Sequence, residues 1–312
     1  MKGIFLPGAL LLCLGVWVIH HFPIFGQMAY QVSSSTEALV YGFEKKTVDL
    51  KEHPIYFYEA NAGQQKPTLL LIHGYSADKT NWLRFARHFT DDFHVVIPDL
   101  AGHGETGFSH TWSYTTQAQA GRVKELIDLL DLKSVNIIGS SMGGKIGAYV
   151  AANFPEVVSA TVLFDPAGLD EPRPGKRLQI LRDSQRNIFE VNSKEEFDEF
   201  FQMTMSNPPW IPGFVLNGMA ADYQQRREEL AQIGRDFSQD AIQEELTKIG
   251  SPVLLIWGEE DQILDKSSAK LWEQHVPQIV SEIWPGIGHL PMVEAPKKSA
   301  MRVRDFLDAA SL

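Results

Sequence analysis

The stretch IIGSSMGGKIG, residues 137–147, sets two adjacent serines between glycines at the end of an apolar run. Only one frame fits Gly-x-Ser-x-Gly: Gly139, Ser140, Ser141, Met142, Gly143. Ser140 has Ile138 and Met142 two positions to either side, so Ser141 is the candidate nucleophile. The spacing has a geometric reason. A sharp strand-to-helix turn holds such a serine in a strained backbone conformation, and the residues two before and two after must be small for strand and helix to pass. The context agrees: the apolar run VNII (135–138) precedes the motif, and the helix-like MGGKIGAYVAANF (142–154) follows it. A serine at that elbow sits at a helix N-terminus, where backbone donors and the helix dipole favour developing negative charge.

Outward from the motif, short apolar runs alternate with helical patterns, the signature of a parallel α/β sheet. TLLLIHG (68–74), HVVIPD (94–99), SVNIIGS (134–140), SATVLFD (159–165) and SPVLLIWG (251–258) are buried-strand runs, each ending in Gly, Asp or a polar residue. Between them, 79–90, 115–131 and 142–154 predict helices, and KTVDLKEHPIYFYEA (46–60) predicts an antiparallel hairpin leading in. The alternation stops at Pro166 and resumes near Ser251. The stretch between holds only helical patterns, broken at Pro172, Pro174, Pro208, Pro209 and Pro212. It predicts a helical cap over the C-terminal edge of the sheet, where ligands bind in open α/β folds. The expected organisation is a core over 38–165 and 251–312 with a cap over 166–250.

The N-terminus is organised differently. From Gly3 to Phe25 there is no Asp, Glu, Lys or Arg, and no Lys or Arg follows Lys2 until Lys45. With its flank to Phe25, the apolar run reaches the roughly 20 residues that span a bilayer as a helix. The charge asymmetry places the N-terminus in the cytoplasm and the bulk of the chain outside. An uncleaved single-pass anchor over 1–26 is expected, followed by a polar tether over 27–37. A cleaved signal peptide, leaving a secreted or periplasmic protein, is the rival, but no Ala-x-Ala-like site follows the apolar run.

Composition closes off other classes. The net charge of −11 over 312 residues argues against a nucleic-acid partner, since no basic cluster could neutralise phosphates. One cysteine, Cys13, excludes an internal disulfide and a zinc ribbon. No histidine pair has ligand spacing, so neither metal nor cofactor is expected.

A serine hydroxyl needs a general base, and the base needs an orienting acid. WGEEDQIL supplies Asp261 just past a strand, and GIGHLPMVEAP supplies His289 in a Gly-rich loop before the last helix. The chain order Ser141, Asp261, His289 is the one expected for this sheet. His20 and His21 flank the anchor, His88 and His275 fall in surface helical patterns, and His73 and His103 are read as structural hydrogen-bonders. Asp165 ends a strand and competes with Asp261 for the acid's role. Because Pro166 follows it, Asp165 is read instead as shaping the entry into the cap. The oxyanion donors expected are the backbone N–H groups of Met142, after the nucleophile, and Tyr75, just past Gly74, where the backbone can approach a substrate closely. Trp82, in the helical pattern that follows, is read as core.

At this point HGYSADKTNW, PDLAGHGET, GSSMGG, DPAGL, WGEEDQILD and GHLPMVEAP resemble the α/β-hydrolase superfamily over about residues 40–310. They look most like its membrane-anchored monoacylglycerol lipases and related bacterial lipases. Thr106 stands where many relatives carry Ser, which touches nothing catalytic. The resemblance implies the same triad, the same amide donors and an acylglycerol ester as substrate. A short-chain carboxylesterase, or a carbon–carbon bond hydrolase on the same scaffold, is the alternative. Relatives that use an aspartate nucleophile are disfavoured by Ser141. A catalytically dead, membrane-tethered binding protein is the reading from another class, and it is disfavoured because no triad member is missing. In the cap, Trp210, Phe214, Leu216 and Met219 are the candidate substrate-binding residues, from a segment dense in aromatics and methionines. Oligomeric state is not legible.

Overall fold

The uninterrupted apolar runs become the centre of a sheet because helices cover both of its faces. The computed structural model describes residues 22–310. In it, eight strands are ordered β1-β2-β4-β3-β5-β6-β7-β8. β1 (Glu44–Asp49) and β2 (Pro54–Ala60) form the antiparallel hairpin, and β2 runs antiparallel to β4 (His94–Pro98). β3 (Thr68–Ile72), β5 (Val135–Ser140), β6 (Val158–Phe164), β7 (Val253–Gly258) and β8 (Ile279–Trp284) continue the sheet in parallel with β4. The side chains of Leu69, Leu70, Leu71 and Ile72 are wholly buried, as a strand covered on both faces requires. Outside the cap, the sheet's helices are α2 (Leu83–Ala86), α3 (Thr116–Leu129), α4 (Met142–Asn153), α10 (Ala269–His275), α11 (Pro291–Glu294) and α12 (Pro296–Ala310).

Between β6 and β7 the chain leaves the sheet for five helices: α5 (Lys176–Ser184), α6 (Lys194–Thr204), α7 (Gly213–Gln225), α8 (Arg227–Phe237) and α9 (Gln243–Leu246). This cap has an apolar cluster of its own, with Ile188, Val191, Phe197, Phe200, Met203 and Ala220 packed around Ile263 of the core. Its far end is held by Lys145, whose ammonium donates to the carbonyls of Phe237 (3.1 Å) and Asp240 (2.6 Å).

The structure departs from the sequence reading at three places. Residues 79–90 form a short 3₁₀ turn, Lys79–Trp82, running into the single α-turn of α2. The chain then tightens, with the amides of His88 and Phe89 bonding three residues back to Phe85 and Ala86. Trp82, Phe85 and Phe89 are all wholly buried, and packing three bulky rings sets this local path rather than helical periodicity. β8 was not anticipated: it is an edge strand with Val280 and Ile283 exposed, so it lacks the continuous apolar run of its neighbours.

The third difference concerns residues 27–37. In place of a polar tether, they lie within a helix, α1 (Pro23–Val40), packed along α7 of the cap. Its polar side chains are satisfied locally: Ser34 Oγ donates to the Tyr30 carbonyl (2.8 Å) and Thr36 Oγ1 to that of Val32 (2.7 Å). Small residues here mark a helix interface. A side chain on Gly26 would run into the Phe214 carbonyl of α7, and one on Gly218 into the backbone of Gly26 and Gln27. The anchor expected over 1–26 lies almost wholly outside the described residues, and among those no helix is long and apolar enough to cross a membrane.

The Gly26–Gly218 contact predicts that Gly218→Val forces α1 away from α7, at about 1–3 kcal/mol. Denaturant unfolding should show a lower midpoint, and limited proteolysis should cut within α1. An unchanged midpoint with α1 still protected would refute this account of the interface.

Candidate active site

Ser141 is the residue between β5 and α4, and its backbone sits at φ 55°, ψ −117°. Few non-glycine residues adopt such a conformation. Here it is pinned from both sides: the Ser141 N–H donates to the Phe164 carbonyl (2.9 Å), and its own carbonyl accepts from Ala167 (3.0 Å) and Lys145 (3.2 Å). Added side chains at Gly139 or Gly143 would strike the backbone of the opposing element, of Gly143 for the first and of Ile72 and His73 for the second. Ser140, by contrast, is wholly buried with an unpartnered Oγ, and so has no access to a substrate.

The strand ends of β5, β6, β7 and β8 bring Ser141, Asp165, Asp261 and His289 to one edge of the sheet, in that order. Asp261 Oδ2 accepts from His289 Nδ1 at 2.7 Å, with both residues buried. Asp261 Oδ1 accepts the backbone N–H groups of Ile263 (2.8 Å) and Leu264 (3.0 Å), which fix the carboxylate's plane. With Nδ1 donating, the lone pair of the imidazole lies on Nε2. The His289 amide donates to the Thr204 carbonyl at the end of α6 (3.0 Å). Glu294 accepts from the amides of Gly288 and Asn207, both at 2.8 Å, and burial pushes its carboxyl up. The histidine loop is therefore tied directly to the cap.

From the sequence, Asp165 is expected to shape the entry to the cap. The structure brings it, wholly buried, into one group with Asp261 and His289, where one ligand-type atom from each lies within 4.8 Å of the others. Among the described residues, these three form the one group whose ligand-type atoms lie close enough to hold a cation, and the direct Asp261–His289 hydrogen bond occupies Asp261 Oδ2 and His289 Nδ1.

Behind Ser141, Gly74 places its backbone against the serine side chain, and Tyr75 follows it. The Tyr75 hydroxyl donates to the Leu230 carbonyl of α8 at 2.6 Å, and burial pushes it well above its ordinary range. His73 Nδ1 lies 2.8 Å from the Gly74 carbonyl, and its Nε2 accepts from the Leu100 amide at 3.0 Å. Burial lowers His73 and drives His103 well down, so both rings are neutral struts. Beneath the loop runs a network that the sequence reading missed. Lys79 donates through its ammonium to Asp99 (2.5 Å) and Glu105 (2.8 Å), while Asp99 also accepts the amides of Lys79 and Glu105, both at 2.8 Å. The available signal was an Asp at a strand's end seven residues before Thr106, whose hydroxyl donates back to the Asp99 carbonyl.

The cap residues separate by environment. Leu216 and Met219 pack against the cap's own cluster, Phe214 is half-buried beside α1, and Trp210 points outward at 87% exposure. Ser76 and Tyr223 share a 2.7 Å hydrogen bond between the loop after β3, which carries Tyr75, and α7.

Comparison with known proteins gives a consistent picture. A family model described as the alpha/beta hydrolase fold matches residues 67–296. Lipase 3 of Moraxella sp. (strain TA144) is 31% identical over 269 residues, 85% of each chain. Monoacylglycerol lipase ABHD6 of Rattus norvegicus is 30% identical, covering 81% of this chain and 78% of its own. Among solved structures, that of a membrane phospholipase A described as a bacterial virulence factor superposes with a TM-score of 0.87 at 32% identity, over 100% of this chain and 99% of the other.

The buried ion pair beneath the loop predicts that Lys79→Met destabilises the fold by about 3–5 kcal/mol, because Asp99 loses its cation. Burial already raises the Asp99 carboxyl. A carboxyl raised on folding costs stability when ionised, so the deficit against the unmutated chain should narrow as pH falls and Asp99 takes a proton. Paired thermal melts across pH test this, and a deficit independent of pH would refute it.

Proposed function

Since the chain belongs to the α/β-hydrolase family, as a carboxylic ester hydrolase among its lipases and esterases, we propose that it cleaves acylglycerols through a serine-centred triad. Ser141 attacks the acyl carbonyl, His289 Nε2 takes the hydroxyl proton, and Asp261 holds the imidazole's tautomer and offsets the imidazolium charge. The backbone N–H groups of Tyr75 and Met142 stabilise the oxyanion. His289 returns the proton to the departing alcohol, and water activated by the same histidine releases the acid from the acyl-enzyme. The observation that carries this reading is the buried 2.7 Å Asp261–His289 hydrogen bond, on the same sheet edge as a strained serine elbow.

A glycerol ester with one medium or long acyl chain is the proposed substrate. The aromatic and methionine-rich cap supports it, since such side chains adapt to varied apolar shapes. So does the apolar outer face of α1, where Phe25, Met28 and Val32 are exposed directly after a charge-free N-terminal stretch. These features favour a membrane-held enzyme with its catalytic domain on the extracytoplasmic side, which meets lipid esters where they partition. A second reading, hydrolysis of a phospholipid acyl ester, is favoured by the structural relative described as a phospholipase A.

Ser141→Ala should abolish ester hydrolysis and labelling by a fluorophosphonate probe while the melting temperature is retained, and Ser140→Ala should keep most activity. Labelling that survives in the first variant and vanishes in the second would reverse the assignment.

Substrate class is tested by a chain-length series at monomeric concentrations. A buried methylene contributes about 0.8 kcal/mol, so even at half efficiency kcat/KM should rise on the order of a hundredfold from C4 to C12. A maximum at C2–C4 that falls by C8 would identify a short-chain carboxylesterase instead.

A further inference from the structure

Asp165 has no task in the cycle just described, yet it sits in the same buried row. Its Oδ1 accepts the Gly258 amide at 2.7 Å, while Oδ2 is buried without a hydrogen-bond partner. Its backbone is held at φ 44°, a region that Asp and Asn tolerate better than other side chains. The carboxyl shares a group with Asp261 and His289 in which one atom from each lies within 4.8 Å of the others. Two carboxylates that close in a buried site disfavour ionising together. Asp261 receives three donors, the amides of Ile263 and Leu264 and the ring of His289, whereas Asp165 receives one. The negative charge therefore belongs on Asp261 and the shared proton on Asp165.

We propose that Asp165 is a protonated positioning residue, which donates a hydrogen bond from Oδ2 to the Asp261 carboxylate and holds that carboxylate in the plane of His289. The proton stays on Asp165 throughout the cycle. The inference rests on the triad assignment above. It accounts for the orphaned buried oxygen, which as an O–H becomes a donor facing an acceptor. Burial, and after it the neighbouring Asp261, push the Asp165 carboxyl well above its ordinary range, with Glu294 of α11 adding to the effect. The titratable groups facing it are thus Asp261, His289 and Glu294.

The test compares Asp165→Asn with Asp165→Gly. An asparagine keeps an acceptor for Gly258 and a donor for Asp261, so kcat should stay within about threefold. A glycine accepts φ 44° without strain but offers no donor, and kcat should fall on the order of tenfold. In that variant the acidic limb of kcat/KM should also move to higher pH, because an Asp261 charge no longer shared favours the protonated base. If both variants lost only thermal stability and kept the pH profile, the role would be structural and the proposal overturned. If Asp165→Asn collapsed turnover while Asp261→Asn was tolerated, Asp165 would be the ionised acid, which also overturns it. Infrared difference spectra of the unmutated protein against Asp165→Asn at neutral pH give a readout that needs neither turnover nor a folded glycine variant. A carboxylic-acid carbonyl band in the unmutated protein supports the proposal, and carboxylate bands alone refute it. Run in the Ser141→Ala background, the same spectra stand apart from the nucleophile's assignment, so the two readings can fail separately.

Discussion

The geometry at Ser141 is the constraint from which the rest of the site follows. A non-glycine residue at φ 55° and ψ −117° costs about 1–3 kcal/mol and persists only where its surroundings over-determine it. Its amide is taken by Phe164 at the end of β6, and its carbonyl by Ala167 just beyond. The elbow is thereby clamped by the very turn that leads into the cap. Pinning the serine in this way costs backbone strain, but it aims the side chain outward at the head of α4 while Ser140, one residue earlier, is sealed in the core.

The remaining parts of the site inherit their positions from parallel register. β5, β6, β7 and β8 are adjacent, so the residues that follow them line one edge although Ser141 and His289 are far apart in sequence. For β5, β6 and β7 that arrangement was legible from the chain alone, because a central strand buried on both faces reads as an unbroken apolar run and the polar residue ending it is easily seen. The fold class and the place of Asp261 were read in this way, whereas Ser141 was read from the glycine spacing and His289 from its Gly-rich loop before the last helix. The pairing of Asp261 with His289 at 2.7 Å is set by the fold and is not written in the spacing of the two residues.

What was not legible shares a physical cause: each missed feature depends on partners remote in sequence. β8 is exposed along one edge and carries no unbroken run. Residues 27–37 read as a polar tether, yet Gly26, Ser34 and Ala38 face inward from a helix whose register is set by α7. Small residues that permit close helix packing are compositionally indistinguishable from residues that avoid structure. The Lys79–Asp99–Glu105 network was hidden for a similar reason, since a buried cation looks like a surface one until its neighbours are placed.

These remote contacts also couple the cap to the chemistry. The His289 amide bonds to Thr204 at the end of α6, and Glu294 bridges Gly288 of the histidine loop to Asn207 of the cap. On the other side, Tyr75 and Ser76, in the loop expected to supply an oxyanion donor, bond to Leu230 of α8 and Tyr223 of α7. α7 in turn carries α1, the helix that follows the charge-free N-terminus. The cap is therefore bonded both to the loop of His289 and to the loop of Tyr75 and Ser76, while Ser141 is held by Phe164 and Ala167. The proposed base and donor loop thus take part of their support from the cap, whereas Ser141 takes its geometry from the ends of β5 and β6, so the parts of the proposed site are positioned by different elements.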